Sequence, residues 1–236
     1  MRIRFLLALL AVAGGAQAAG AGAADTPADG QPMAWRYGLL QTAQAEFDKN
    51  VAARAPGAVL AFRLPKVDPV QGDHQVELVQ GEKRTPLPML AGARFALPHD
   101  AQAASADAMV VANQRFPKGD FNHPNVQVRS PGLPQGVNRM GDLRLACAAQ
   151  IAMGKAEGFK FRAIFAVAGL FGLDVCEKLE VTNIDAPNAA YDTVVIEDGE
   201  RKLAQSSKRE NMTRLGDQGW SDNARISFLL NGVAVQ

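Results

Sequence analysis

The sequence holds three imidazoles, His74, His99 and His123. Imidazole is the side chain best suited to proton transfer near neutrality and to binding transition metals. No two of them stand three or four residues apart, so they do not share a helix face as metal ligands would, and there is no His-Glu-x-x-His. His99, beside Asp100, could meet His123 on a metal only through the fold; scattered loop histidines are more often solvated, and no metal or cofactor is expected. A Ser-His-Asp triad needs no adjacency in sequence, but no Gly-x-Ser-x-Gly elbow marks a nucleophile and no glycine loop marks a phosphate site. No catalytic residue is nominated.

What remains is chemistry of contact. Trp220 lies in Gly216-Asp217-Gln218-Gly219-Trp220-Ser221-Asp222, with Glu210 upstream, and Phe121 lies between Asp120 and Asn122. A ring among glycines and acids can serve as a loop-tip platform for a sugar or peptide; the other reading of Trp220 is a loop that folds its ring back onto a sheet edge. Trp220 and Phe121 are the candidate binding residues. The run from Ser206 to Glu210 reads as a solvated, mixed-charge turn.

The two cysteines, Cys147 and Cys176, must be weighed with the first residues of the chain. Met1-Arg2-Ile3-Arg4 is followed by an unbroken apolar run from Phe5 to Ala13 and then by Ala16-Gln17-Ala18. A basic start, a short apolar stretch and small residues at a cleavage site form a secretory signal, with a mature N-terminus expected between Ala19 and Asp25. The run is well short of the ~20 residues of a membrane span, so no span is expected after cleavage. No cysteine follows the run to accept a lipid. An even cysteine count in an exported chain favours a Cys147–Cys176 disulfide; a redox pair would more often be Cys-x-x-Cys. The expected location is periplasmic or secreted.

Removing residues 1–18 takes two of the 25 basic residues and none of the 24 acids, turning a formal charge of +1 into −1. No basic excess points to nucleic acid or to an anionic membrane. With 47% apolar residues the chain can bury a core.

Residues 19–33, rich in Ala, Gly, Asp and Pro, read as a flexible leader. From Ala34 to Ala53 the residues Leu39, Leu40, Ala43, Phe47 and Val51 form one apolar stripe, an amphipathic helix stopped by Ala55-Pro56-Gly57. Trp35 and Tyr37 at its start would staple it to the body or offer a ligand platform. After Gly57 the period falls to two: strands are expected over 58–64, 74–79, 92–97 and 108–112. Residues 117–139, rich in Pro, Gly and Asn, read as a loop or linker, with alternation at Val126-Gln127-Val128. The alternation Leu143, Leu145, Cys147, Ala149, Ile151, Met153 predicts a strand with Cys147 on its buried face. Residues 163–170 suit a short buried helix. Asp198-Gly199 and Asn231-Gly232 predict hairpins. Val76 to Arg84 echoes Val194 to Lys202: each runs strand, Gly-Glu turn, basic pair, as two related β-modules would, though short hairpins also agree by chance.

The stretch Val76 to Pro98, with its Gly92-Ala93-Arg94-Phe95 strand, resembles carboxypeptidase-regulatory, transthyretin-like β-sandwich modules. That resemblance implies a non-catalytic sandwich, from which the helix at 34–53 and the apolar stretch 159–173 depart. The second half, Gly141 to Cys147 with Cys176, is similar to exported proteins of Gram-negative bacteria, which implies class and location only. The expected fold is mainly β, antiparallel and sandwich-like, with an N-terminal amphipathic helix and a short buried helix. The expected divisions are 1–18, signal; 19–33, leader; 34–116, helix and first β-module; 117–139, loop or linker; 140–236, second β-module with the disulfide. The expected function is binding of a protein or an envelope glycan; the alternative is a periplasmic hydrolase of envelope polymer or peptide.

Overall fold

A computed structural model describes residues 31–65, 67, 72–98, 107–116, 123–158, 174–184, 190–208 and 212–235. Its elements in chain order are β1 (Gln31–Arg36), α1 (Tyr37–Arg54), β2 (Val59–Arg63), β3 (Val76–Gln80), β4 (Lys83–Pro86), β5 (Met89–Leu90), β6 (Arg94–Phe95), β7 (Met109–Phe116), β8 (Asn125–Arg129), β9 (Val137–Arg139), α2 (Met140–Glu157), α3 (Val175–Lys178), a 3-10 turn (Val181–Asn183), β10 (Thr193–Asp198), β11 (Arg201–Ser206), β12 (Arg225–Leu230) and β13 (Val233–Ala234). The chain is mainly β, in three antiparallel sheets: β1-β7-β3-β4, β5-β6-β2-β8, and β11-β10-β12 with both β9 and β13 on the other edge of β12.

The first two sheets face one another in a sandwich-like arrangement. Trp35 of β1 stacks on Phe95 of β6 at 6.1 Å, and Phe95 on Phe62 of β2 at 5.5 Å. Val76, Leu78, Val110, Leu60, Val128 and the stripe Leu40, Ala43, Phe47 of α1 share this core. A second core joins Val194, Ile196, Ile226 and Phe228 of the third sheet to Met140, Leu143 and Cys147 of α2.

The segment expected as the clearest strand, 143–153, is instead the middle of the 18-residue helix α2. Its alternation is the overlay of two helical stripes. Met140, Leu143 and Cys147 enter the second core, with Ile151 packed against it, while Leu145, Ala149 and Met153 enter the first. Helix propensity points the same way, since Ile151 is the only β-branched residue from 140 to 157.

Three boundaries also move. Residues 31–33, assigned to the leader, and 34–36, assigned to the helix, form β1, and the helix begins at Tyr37. Pairing of Trp35 with Val110 directs the indole into the core, which settles Trp35 and Tyr37 as buried staples. Within 117–139, residues 125–129 pair with β2 and 137–139 with β12, so much of that stretch is sheet. The helix expected over 163–170 lies outside the described residues. The hairpins stand as expected: Gly81 and Gly199 take positive φ in their Gly-Glu turns, and Asn231-Gly232 takes positive φ at both positions.

The echo between the hairpins extends to whole units. β1, α1, β3, β4 and β7 follow the same chain order and strand order as β9, α2, β10, β11 and β12, with β2 and β5-β6 of the second sheet interposed in the first unit and α3 and the 3-10 turn in the other. Each opening strand runs straight into an 18-residue helix across an Arg-x-Gly junction, with Arg36 and Arg139 as the last strand residues. Tyr37 N–H and Met140 N–H each donate at 2.8 Å to the carbonyl just before the closing strand, Ala108 and Ala224. The registers coincide. Val110 sits between Trp35 and Leu78 as Ile226 sits between Asn138 and Ile196; Met109 sits between Arg36 and Val79 as Arg225 sits between Arg139 and Glu197.

The two helices lie antiparallel. A Cβ on Gly141 at the start of α2 would overlap the Arg54 carbonyl oxygen at the end of α1. At the other end the Arg36 guanidinium donates to the Glu157 carbonyl at 3.3 Å.

Candidate functional site

Trp220 is not at a loop tip. It is 2% exposed and belongs to the second core, with the Arg201 guanidinium 3.9 Å above its ring. The contact reading of Trp220 is corrected to the folded-back one, because a ring covered on both sides cannot meet a partner. The loop around it is organised by a residue the sequence reading passed over, Arg144 on α2. Its Nε donates to Leu215 O (2.7 Å), its Nη1 to Asp222 Oδ1 (2.5 Å) and its Nη2 to Asp217 O (3.0 Å) and Trp220 O (3.1 Å). The acids that made the loop look like a sugar site are consumed locally: Asp222 by Arg144, and Asp217 by the Gly219 N–H at 2.9 Å. Phe121, His99 and Glu210 lie outside the described residues.

Beside this knot a cleft of about 660 Å³ opens on the helix pair. Its floor is aliphatic, Ala148, Ile151 and Ala152 of α2, and Glu46, Asn50 and Arg54 of α1 form one side. The other wall is α3 and the residues near Gly216. That wall is braced in three ways. The Cys147–Cys176 disulfide joins it to α2, with Cα atoms 5.9 Å apart; Cys147 is 1% exposed and Cys176 borders the cleft. Asp174 Oδ1 caps α3, accepting from the N–H groups of Cys176 (2.8 Å) and Glu177 (3.4 Å). Main-chain bonds from Leu215 N–H to Leu179 O (2.9 Å) and from Val181 N–H to Thr213 O (3.0 Å) bind the wall to the Trp220 loop. Gly216 is required there, since a Cβ would lie 2.6 Å from the Glu177 Cβ.

The charges in the cleft differ in how far they are committed. Glu46 accepts from Asn50 Nδ2 at 2.8 Å, and Asp174 is used in the cap. Arg144 is 12% exposed and its guanidinium already makes four bonds. Arg54 is 47% exposed, and among the described residues its ion pair reaches only to 3.9 Å, toward an Asp222 oxygen that Arg144 already holds. A smaller concavity of about 470 Å³ lies on the far side of Glu177, where Gln205 Oε1 accepts from the Thr213 N–H (3.2 Å) and hydroxyl (2.9 Å).

Polar clusters elsewhere are structural. Asp142 accepts from the Ser130 N–H and hydroxyl, with Arg139 Nη1 at 3.3 Å from that hydroxyl. Burial pushes the Asp142 carboxyl above the usual aspartate range, against the opposing pull of the Ser130 bonds and the charges of Arg139 and Arg129. His123 Nε2 meets Glu157 Oε1 at 2.7 Å, and His74 Nδ1 meets Gln114 Nε2 at 2.8 Å. None of these eight residues borders either concavity. Asp198 accepts from the Ser221 N–H and hydroxyl, both at 2.8 Å, which holds its carboxyl below the usual range.

Among the described residues no three of His, Cys, Asp and Glu come together as metal ligands, and no helix is long and apolar enough to cross a membrane. Protein-family models, curated proteins and solved structures give no match to this chain.

Proposed function

We propose that the protein is an exported, non-catalytic binding protein, periplasmic or secreted, and that the cleft between α1, α2 and α3 takes a segment of a partner protein. The observation that carries the reading is the cleft itself. Its volume falls within the range of about 300–1,000 Å³ usual for ligand sites, and it has an apolar floor with charged flanks. Its wall is fixed by a disulfide, which suits an oxidising compartment. The secretory signal at 1–18 and the resemblance of 76–98 to non-catalytic sandwich modules support the same reading.

The chemistry of the lining chooses between the expected partners. Its described residues include no Trp, Tyr or Phe, so it lacks the aromatic platform on which a glycan would stack. They include no Ser, Thr or His, and Cys176 is held in the disulfide, so no hydroxyl, free thiol or imidazole faces a bound ligand, and the ionisable groups there besides the two arginines are the carboxylates Glu46, Asp174 and Glu177 and the amine of Lys155. The hydrolase alternative looks to His99 or His123 beside a serine or carboxylate in a cleft; His123 does meet Glu157 at 2.7 Å, but neither borders the two concavities described above, and His99 lies outside the described residues.

Site-specific photocrosslinking in exporting cells tests the proposal. A photoreactive residue at Ala152, on the cleft floor, should give a discrete protein adduct that the same residue at exposed Val233 does not. No adduct from 152, or the same adducts from both positions, would overturn it.

A further inference from the structure

The two units end their helices differently. Arg54 and Glu157 occupy the same position, the last of eighteen residues. Glu157 is met by His123 at 2.7 Å, whereas among the described residues Arg54 pairs with a carboxylate oxygen only at 3.9 Å, one already bonded to Arg144 at 2.5 Å. Arg54 also stands at the mouth of the cleft with nearly half of its side chain in solvent. A guanidinium so placed keeps donors available for a planar carboxylate, and it binds one in a fork that a lysine cannot reproduce. Of the other two cations on the lining, Lys155 carries a point charge that makes no planar fork, and Arg144 has no such reserve, since its three nitrogens are spent on Leu215, Asp217, Trp220 and Asp222.

From this we infer that the cleft takes an extended peptide with an aspartate or glutamate side chain seated on Arg54, its following residues lying over the aliphatic floor. The inference rests on the cleft being a peptide site. The floor explains why a peptide would stay: Ala148 and Ala152 recur one turn apart, so a backbone can approach α2 closely, and Ile151 offers apolar area between charged flanks. The charge on Arg54 explains which peptide is chosen, because a cation at the rim of an apolar groove sets specificity and register more than total affinity.

Selection of a random displayed peptide library on the mature protein, and on Arg54→Glu and Arg54→Gln variants, tests it. The wild type should enrich peptides with Asp or Glu at one fixed position. Arg54→Gln should lose that preference, and Arg54→Glu should replace it with Lys or Arg. A synthetic acidic peptide, followed by fluorescence anisotropy, should bind Arg54→Glu roughly tenfold more weakly. Among the described residues Arg54 makes one long ion pair, so circular dichroism should show both variants folded. Peptides that bind, are blocked by Ala152→Trp, and show no acidic position or no response to Arg54→Glu would overturn the role of Arg54 and leave the cleft as the binding site. No enrichment, or binding untouched by Ala152→Trp, would overturn both.

Discussion

Ser130 gives both of its donors to one carboxylate: its N–H reaches Asp142 Oδ2 at 2.8 Å and its hydroxyl reaches Oδ1 at 2.7 Å. All of these groups are buried, and the pair ties the end of β8 to the first turn of α2. Asp142→Ala would strand two buried donors and should lower stability by about 2–4 kcal/mol in urea unfolding. Ser130→Ala removes one bond together with its donor and should cost about 1 kcal/mol.

The same carboxylate sets a pH dependence. Burial raises its folded pKa above the unfolded value, so between the two the folded state holds more protons and stability falls as pH rises. Asp142→Asn carries no such charge. The stability of the wild type relative to Asp142→Asn should therefore improve as pH falls through that window, read from urea midpoints at steps from about pH 7 to about pH 3. A difference that moves the other way would show the Ser130 and arginine contacts prevailing over burial.

Trp220→Ala should unfold or strongly destabilise the protein, by about 3–5 kcal/mol, because the indole is core and carries the Arg201 contact. Denaturant midpoints measure this. A neutral substitution would mean that the ring does not occupy the second core.

Gly38 and Gly141 hold the same position in the two units, the second residue of each helix, yet alanine should act oppositely at them. At Gly38 a Cβ meets nothing within 4 Å, and Gly38→Ala should stabilise by roughly 0.5–1 kcal/mol. At Gly141 a Cβ would strike the Arg54 carbonyl and lie 3.0 Å from that of Asp222, so Gly141→Ala should destabilise by about 1–3 kcal/mol. Thermal unfolding of the two variants side by side checks the opposite signs.

Replacing both Cys147 and Cys176 by alanine should remove roughly 3.5 kcal/mol, the chain-entropy value for a loop of this length. The reading is the fall in melting temperature under non-reducing conditions. Added reductant should bring the wild type close to the variant and leave the variant unchanged.

Short-range chemistry was legible in the sequence. Gly81, Gly199 and Asn231-Gly232 each demanded a turn, and the alternating β-branched runs beside them became strands. The disulfide followed from an even pair of cysteines in a chain expected to be exported. The reading of α2 failed because a period-two pattern was taken as evidence of a two-faced strand. A helix wedged between two cores shows the same pattern, since Met140-Leu143-Cys147 and Leu145-Ala149-Met153 interleave. Helix propensity was the available corrective. Trp220 misled for a related reason: the acids around it looked like a ligand surface, but their partners, Arg144 and a backbone amide, lie far away in sequence or belong to the backbone itself. Arg54 carried no local signal beyond standing just before the Ala55-Pro56-Gly57 stop, because what distinguishes it is the carboxylate that Arg144 has already taken.

The interleaved stripes of α2 also bear on how the molecule comes apart. Both hydrophobic centres draw on this helix, because Leu145, Ala149 and Met153 pack into one while Met140, Leu143 and Cys147 pack into the other. Melting α2 opens both at once. Despite the repetition of its halves, the chain should therefore unfold as one cooperative body, with the amide protons of α2 among the last to exchange.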